Sequence, residues 1–305
     1  MLSQIGLKRK ILLGVVFAVL WVAAELKVRQ QGVVNFPLYD VDQEIGYILR
    51  PNQKGVYLNR ISWEVNEKNM TSGPWKPNQK LDLLLIGDSI VWGGQDYRHE
   101  QKLGPQLQAQ LPDWSVWSVG ASSWSIWNEI AYLQRNPDVV EAADLILWVL
   151  NSGDFGARAL FVTDANTPRS RPWNANLYAL RKYVLPPAFK QWVRGGVRRL
   201  LPNPQDAMVD TKDSVARLEK FLQELGANGK KTLILLYPRR IELAQGKGAL
   251  DEFLQTLRGI QSPGLEVLDG RTLEAWGEEN YRDEIHPTAE GNNRLAHALA
   301  KEVNR

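Results

Sequence analysis

The stretch Leu81-Asp82-Leu83-Leu84-Leu85-Ile86-Gly87-Asp88-Ser89 organises the reading of this chain. Leu81–Gly87 is a nearly continuous apolar run bounded by a glycine, the pattern of a strand buried on both faces. Ser89 then falls where a helix should begin. In open α/β sheets, ligand sites form outside the carboxyl ends of the strands. A helix amino terminus there offers backbone N–H groups and the positive end of a dipole, suited to a developing oxyanion. Taken alone, Gly87-Asp88-Ser89 also fits a turn glycine followed by helix-capping residues.

Outward from this run, apolar strands alternate with helical patterns. Strands are expected at Ser115–Val119, Leu145–Leu150, Thr232–Tyr237 and Leu265–Leu268. Helices are expected at Lys102–Leu111, Ser125–Arg135, Asp213–Leu225, Leu250–Leu257 and Thr288–Val303. Such alternation predicts an α/β fold whose parallel sheet is covered by helices on both faces. Residues 31–80 are richer in Asn, Gln, Gly, Pro and Lys, with alternating pieces at Gly55–Leu58 and Ile61–Val65, and read as a lead-in of loops and short strands.

Composition narrows the chemistry. The 305 residues are 44% hydrophobic and 23% charged, which excludes wholesale disorder and a polytopic membrane protein. There is no cysteine, so disulfide scaffolds, thiolate nucleophiles and Cys-ligated metal sites are excluded. The net charge of +3 includes Lys8, Arg9 and Lys10. Residues 156–205 hold Arg158, Arg169, Arg171, Arg181, Lys182, Lys190, Arg194, Arg198 and Arg199 against Asp164 alone. A local basic feature in an otherwise acidic chain does not describe a nucleic-acid binder.

That basic feature lies within an insert at about 156–208. A helix is expected there at Pro187–Leu201, with Phe189, Trp192, Val193, Val197, Leu200 and Leu201 near one face. It reads either as a cap packed on the core or as a basic amphipathic segment resting on lipid headgroups or an anionic polymer.

At the amino terminus, Lys8-Arg9-Lys10 precedes Ile11–Ala24, fourteen residues without a charge. A basic segment followed by an apolar run marks export. Leu26 and Val28 extend the run toward the roughly twenty residues of a membrane span. Residues 1–30 are therefore expected to be an uncleaved anchor in the inner membrane, with the rest periplasmic. The alternative is a signal peptide cut near Val22-Ala23-Ala24, beside the bulky Trp21, giving a secreted protein.

The other end of the chain supplies a partner for Ser89. Asp283-Glu284-Ile285-His286-Pro287 precedes the last helix. A carboxylate three residues before an imidazole on a turn can reach Nδ1–H, leaving Nε2 to take a proton from a serine. Of the other histidines, His297 falls inside the last helix. His99 sits in the charged loop Tyr97-Arg98-His99-Glu100 and is expected in solvent.

These residues, over about 81–305, resemble the sequence blocks of the SGNH/GDSL hydrolase superfamily. The first block is Ile86-Gly87-Asp88-Ser89. The second is similar to Val116-Trp117-Ser118-Val119-Gly120, and the fourth to Asp283 through His286 with Pro287, Gly291 and Leu295 following. Asp42–Asn52 and Asn66 are similar to the lead-in of exported, membrane-anchored bacterial members. The third block departs from the pattern. The family has Gly-x-Asn-Asp, whereas this chain reads Asn151-Ser152-Gly153-Asp154-Phe155, with glycine in the place of the oxyanion asparagine.

The resemblance implies a three-layer α/β/α sandwich around a five-stranded parallel sheet of order 2-1-3-4-5. It implies Ser89 as nucleophile, His286 as base, Asp283 as its orienting carboxylate and Gly120 as an oxyanion donor. No metal or organic cofactor is required. Asn151, two residues before the vacant position, is the candidate replacement donor, the alternatives being a slow enzyme or a degenerate one. The implied activity is a serine esterase, with O-acetyl groups of an extracytoplasmic polysaccharide as the expected substrate. An O-acyltransferase of the same glycans, a lipid esterase at the membrane and a non-catalytic glycan-binding relative are the alternatives. Trp92, Trp117, Trp124, Trp127 and Trp148 flank the expected strand ends, either to stack on sugars or to fill the core.

Overall fold

The computed structural model describes residues 2–164, 166–185, 211–245 and 249–305. The helix expected at Pro187–Leu201 lies outside them.

A long helix, α1 (Leu2–Gln30), opens the chain. Two antiparallel hairpins follow, β1 (Tyr39–Asp42) with β2 (Gly46–Leu49), then β3 (Gln53–Tyr57) with β4 (Ile61–Val65). The lead-in over residues 31–80 thus combines two short hairpins with irregular stretches at 31–38 and 66–80. Beyond it the chain alternates β5 (Leu81–Gly87), α2 (Ser89–Trp92), α3 (Leu103–Gln110), β6 (Trp114–Gly120), α4 (Ile126–Arg135), α5 (Pro137–Ala142) and β7 (Leu145–Leu150). The insert contributes α6 (Ala175–Ala179), which runs on into a wider turn at Leu180–Val184. Then come α7 (Thr211–Ala227), β8 (Lys231–Leu236), α8 (Arg240–Gln245), α9 (Ala249–Gly259), β9 (Leu265–Asp269) and α10 (Ala289–Val303).

The five strands β5 to β9 form one sheet in the order β6-β5-β7-β8-β9, every pair parallel. This is the expected 2-1-3-4-5 arrangement. Strand periodicity divides the core between the two faces. Leu84, Ile86, Ile146, Trp148, Ile234 and Leu236 pack on one side with α4, α7, α9 and the first hairpin. Leu83, Leu85, Leu147, Val149, Leu233 and Leu235 pack on the other with α3 and α10. Each buried aliphatic side chain contributes about 1.5–3 kcal/mol, so the apolar runs commit these segments to the centre of three layers. All five strand carboxyl ends then point the same way, and Ser89 emerges there.

Four of the five flanking tryptophans, Trp92, Trp117, Trp124 and Trp148, are buried. Trp127 is half-buried, with its Nε1 donating to Ser214 Oγ at 2.8 Å and the Arg217 guanidinium on its ring. The sugar-stacking reading is corrected for the four buried rings: strand alternation turns Trp117 and Trp148 into the core, and Trp92 and Trp124 pack there from the short helix and loop beside the sheet.

One polar residue interrupts β5. Asp82 is fully buried, yet its carboxyl accepts from Trp117 Nε1 and from the Asn78 N–H, both at 2.6 Å. Removing a donor from a buried acceptor costs about 1–3 kcal/mol. Trp117→Phe is therefore expected to lower the unfolding free energy by about 1–3 kcal/mol, read as a lower urea midpoint, and an unchanged midpoint would remove this bond from the stabilising contacts.

Candidate active site

Ser89 begins a helix of one turn, too short to hold itself. Three contacts fix it. Asp88 caps it, its Oδ1 accepting from the Ile90 N–H at 2.8 Å. Gly93 closes it in the left-handed region at φ 68°, donating to the Ser89 carbonyl at 2.8 Å. Ile90, Val91 and Trp92 anchor it in the core. Below Trp92, the Lys102 ammonium sits 3.9 Å from the ring centroid, and burial pushes its pKa down to about 7.

Gly120 ends β6 in register with Gly87. A Cβ there would lie 2.5 Å from the Gly87 carbonyl oxygen and 2.8 Å from that of Asp88. Only glycine permits this approach, which puts the Gly120 backbone against the peptide leading into Ser89.

The histidine arrives on a braced loop. Tyr281 and Pro287 form an isolated antiparallel bridge, and the Arg282 N–H donates to the His286 carbonyl at 3.0 Å. Tyr237 Oη donates to the Ile285 carbonyl at 2.9 Å, and Tyr97 Oη to that of Pro287. Sequence reasoning missed these two tyrosines. Tyr237 carried a signal, since it is a polar tip on an apolar run at a strand's carboxyl end.

The outcome is a continuous relay. His286 Nε2 lies 2.9 Å from Ser89 Oγ, and His286 Nδ1 lies 2.9 and 3.0 Å from the two Asp283 oxygens. With Asp283 accepting the Nδ1 proton, Nε2 presents its lone pair to the hydroxyl. Partial burial works to raise the Asp283 pKa, but bonds from the His286 and Ile285 N–H groups and from the imidazole hold it below the ordinary carboxylate value. Ser89 and His286 are half-buried, so the site opens to solvent. His99 is half-buried on a short turn and His297 is exposed on α10; neither joins the site. Among the described residues, no group of three His, Asp or Glu side chains is arranged to hold a metal ion.

Asn151 is engaged elsewhere. Its Nδ2 donates to Asp154 Oδ2 at 2.8 Å and toward Asp88 Oδ2 at 3.3 Å, while its Oδ1 caps the turn Ser152–Phe155 by accepting from the Gly153 N–H. Its amide therefore faces two carboxyl groups, against the expectation of a donor offered to the oxyanion. At Gly153, in contrast, a Cβ would meet only Asn151 Oδ1, at 2.9 Å, within 4 Å.

Behind Ser89 stand three buried carboxyl groups. Burial pushes Asp88 up to about 6 against the N–H bond from Ile90 and the nearby imidazole. Burial and the charges of Asp88 and Glu129 hold Asp154 well above its ordinary value. Burial pushes Glu129 up to about 8, though Trp148 Nε1 donates to it at 2.7 Å.

No family model and no curated protein matches the chain. Solved structures do. A lipolytic protein of the G-D-S-L family from Veillonella parvula is similar at 15% identity, with a TM-score of 0.45 over 74% of this chain and 99% of that one. A putative lipolytic protein of the same description from Desulfitobacterium hafniense is similar at 14% identity, TM-score 0.36, over 73% and 99%. The catalytic domain of peptidoglycan O-acetyltransferase A from Streptococcus pneumoniae is similar at 11% identity, TM-score 0.35, over 74% and 93%. At such identities the side chains of this chain decide its chemistry.

The buried carboxyls set a dependence on pH. Between the ordinary value of 4.5 and about 8, folded Glu129 keeps a proton that the unfolded chain releases. The folded state binds more protons in that window, so stability falls as pH rises through it. Glu129→Gln is expected to flatten the fall in urea midpoint between about pH 5 and about pH 8. Parallel declines in variant and wild type would overturn the assignment.

Proposed function

We propose that this chain is a serine acyl esterase of the SGNH hydrolase type, with Ser89 as nucleophile, His286 as general base and Asp283 as its orienting carboxylate. The observation that carries the reading is the unbroken Ser89–His286–Asp283 relay, with both steps at 2.9 Å. Ser89 Oγ attacks the ester carbonyl carbon as its proton passes to His286 Nε2. The oxyanion lies toward the N–H groups of Ser89 and Gly120. Collapse expels the alcohol, which leaves with the proton from His286, and the acyl group remains on Ser89. Water, deprotonated by His286, then releases the acid; a sugar hydroxyl in its place makes the enzyme an acyltransferase.

The substrate proposed is a short acyl ester, an O-acetyl group on an extracytoplasmic polysaccharide. The side chains bonded around the Ser89 turn, Asp88, Asn151 and Asp154, are polar, and polar surroundings favour a short acyl group over a long hydrocarbon. Residues 1–30 serve as the inner-membrane anchor and 81–305 as the catalytic unit in the periplasm. A helix of Arg9–Gln30, 22 residues long and apolar enough to cross a bilayer, supports that placement.

A fluorophosphonate probe tests the relay without the natural substrate. Wild type is expected to be labelled and Ser89→Ala to show none. Asp283→Asn, which presents an amide donor to Nδ1, is expected to slow labelling by about 10²–10⁴. Unlabelled wild type at high probe concentration would refute the enzyme reading. Acetyl aryl esters are expected to turn over faster than long-chain ones, and the reverse order would assign a lipid substrate.

The vacant third donor yields a gain-of-function test. Gly153→Asn restores an amide at that position, with its Cβ 2.9 Å from Asn151 Oδ1, so the Asn151 side chain must shift within its bonds to Gly153 and Asp154. An oxyanion donor is worth about 10²–10³ in rate, so kcat on an acetyl ester is expected to rise by a part of that factor. An unchanged or lower kcat in a folded variant would show that the oxyanion lies elsewhere.

A further inference from the structure

We propose that the segment Trp173–Val184 is a lipid-contact surface, seated in the headgroup layer of the bilayer that α1 enters, and that it clamps the catalytic domain to the membrane. The inference rests on the anchor part of the reading above.

Its first support is the apolar stripe itself. Trp173 precedes α6, Leu177 lies on it, and Leu180 and Val184 lie on the wider turn that continues it. All four are exposed, Trp173 at 84% and Val184 at 68%. The opposite side of the segment meets the domain: Ala175 is fully buried, and Tyr178 packs on Phe36 with ring centroids 5.4 Å apart. Arg181 is exposed beside the stripe, where anionic headgroups would meet it, while the Lys182 ammonium turns to the Tyr57 and Tyr178 hydroxyls.

Its second support is continuity with α1. The Glu25 carboxylate accepts from the Ala175 and Asn176 N–H groups at 2.8 and 2.9 Å, so a residue of the anchor caps α6. Asn176 Nδ2 donates to the Trp21 carbonyl at 2.8 Å, and Arg29 Nη2 to the carbonyls of Pro172 and Trp173 at 3.1 and 2.9 Å. The stripe therefore starts at the level where the apolar run of α1 gives way to Glu25, Lys27 and Arg29. Val22 and Leu26 of α1, exposed at that same level, extend it. No slack chain intervenes. Asn59 Nδ2 donates to the Gln30 carbonyl at 2.7 Å, and the Leu58 N–H to that of Gly32 at 3.1 Å. A helix that crosses the bilayer and is bolted at its exit must bring this face to the interface.

The absence of native cysteine makes the test direct, because each substitution introduces a single thiol. Full-length Trp173→Cys, Leu177→Cys, Leu180→Cys and Val184→Cys are labelled with an environment-sensitive fluorophore. They are then reconstituted in phosphatidylcholine–phosphatidylglycerol vesicles with or without acyl-chain bromination. Phe17→Cys reports on the anchor, and Lys220→Cys, on an exposed face of α7, reports on water. An interfacial helix face sits about 5–10 Å into the headgroup and acyl boundary, so brominated lipid should quench the four stripe labels strongly. The Phe17 label should be quenched as well, and the Lys220 label should not. A quenched Phe17 label with stripe labels open to iodide would overturn the proposal and leave the anchor standing. Labels at Phe17 and the stripe all open to iodide would remove both. Stripe labels shielded from iodide but untouched by brominated lipid would assign the face to a protein neighbour and overturn the proposal too.

Discussion

The site depends on bringing together two groups 197 residues apart in sequence, Ser89 Oγ and His286 Nε2. Neither segment achieves this alone. The parallel sheet aims β5 at the rim where Ser89 leaves it, and β9 delivers the chain to the same rim before the loop that carries His286. The last few ångströms are set by hydroxyls. Tyr237, at the end of β8, and Tyr97, in the loop after the nucleophile, each hold a carbonyl of the segment 285–287. The imidazole is thus tied to the sheet and to the nucleophile's own loop. In the proposed mechanism a displacement of 1 Å would cost much of the rate, so the braces would matter as much as the three side chains they align.

Asp88 illustrates how the fold accepts one unfavourable feature to obtain another. A buried carboxyl is costly, and its displaced pKa reports that cost. The same carboxyl caps the one-turn helix by accepting from the Ile90 N–H, which fixes the turn that carries Ser89. Asn151 mediates between Asp88 and Asp154, an amide between two carboxyls, which explains why it is held back from the oxyanion. Glu129 stands further behind with one oxygen, Oε1, lacking a partner. A neutral, protonated Glu129 is the least costly state for such a group, in keeping with its raised pKa.

The sheet, its strand order and the meeting of Ser89, Asp283 and His286 were readable beforehand because each rests on a local signal. Apolar runs mark buried strands, and Asp283 to His286 is a turn short enough to be self-contained. The aromatic residues were harder. Trp117 and Trp148 look like surface platforms when only their place near strand ends is known, and the direction of the strand's alternation decides otherwise. Asn151 failed for a similar reason: the two-residue spacing assumes extended backbone, whereas residues 152–155 form a tight helical turn that Asn151 caps. Lys102 and Glu129 were invisible, since their roles arise from burial against residues distant in sequence.

The lead-in has a mechanical reading that follows from its contacts. Hairpin β3–β4 touches the end of α1 through Leu58 and Asn59, and the turn His99–Gln101 through β4. Tyr57 at its tip meets Tyr183 of the insert, hydroxyl to hydroxyl at 2.5 Å, and Lys182 Nζ bonds the same oxygen at 2.8 Å. One small hairpin therefore joins the anchor, the apolar stripe and the loop that follows the nucleophile. Paired strands transmit position where a glycine-rich linker would lose it. Under the proposed anchoring, the site would stand at a nearly constant distance from the bilayer, where a slack tether would let it sample many heights. In that reading the hairpin is the spacer, and Tyr57, Ile61 and Trp63, buried in a small core with Val34, Phe36 and Ala175, hold its shape.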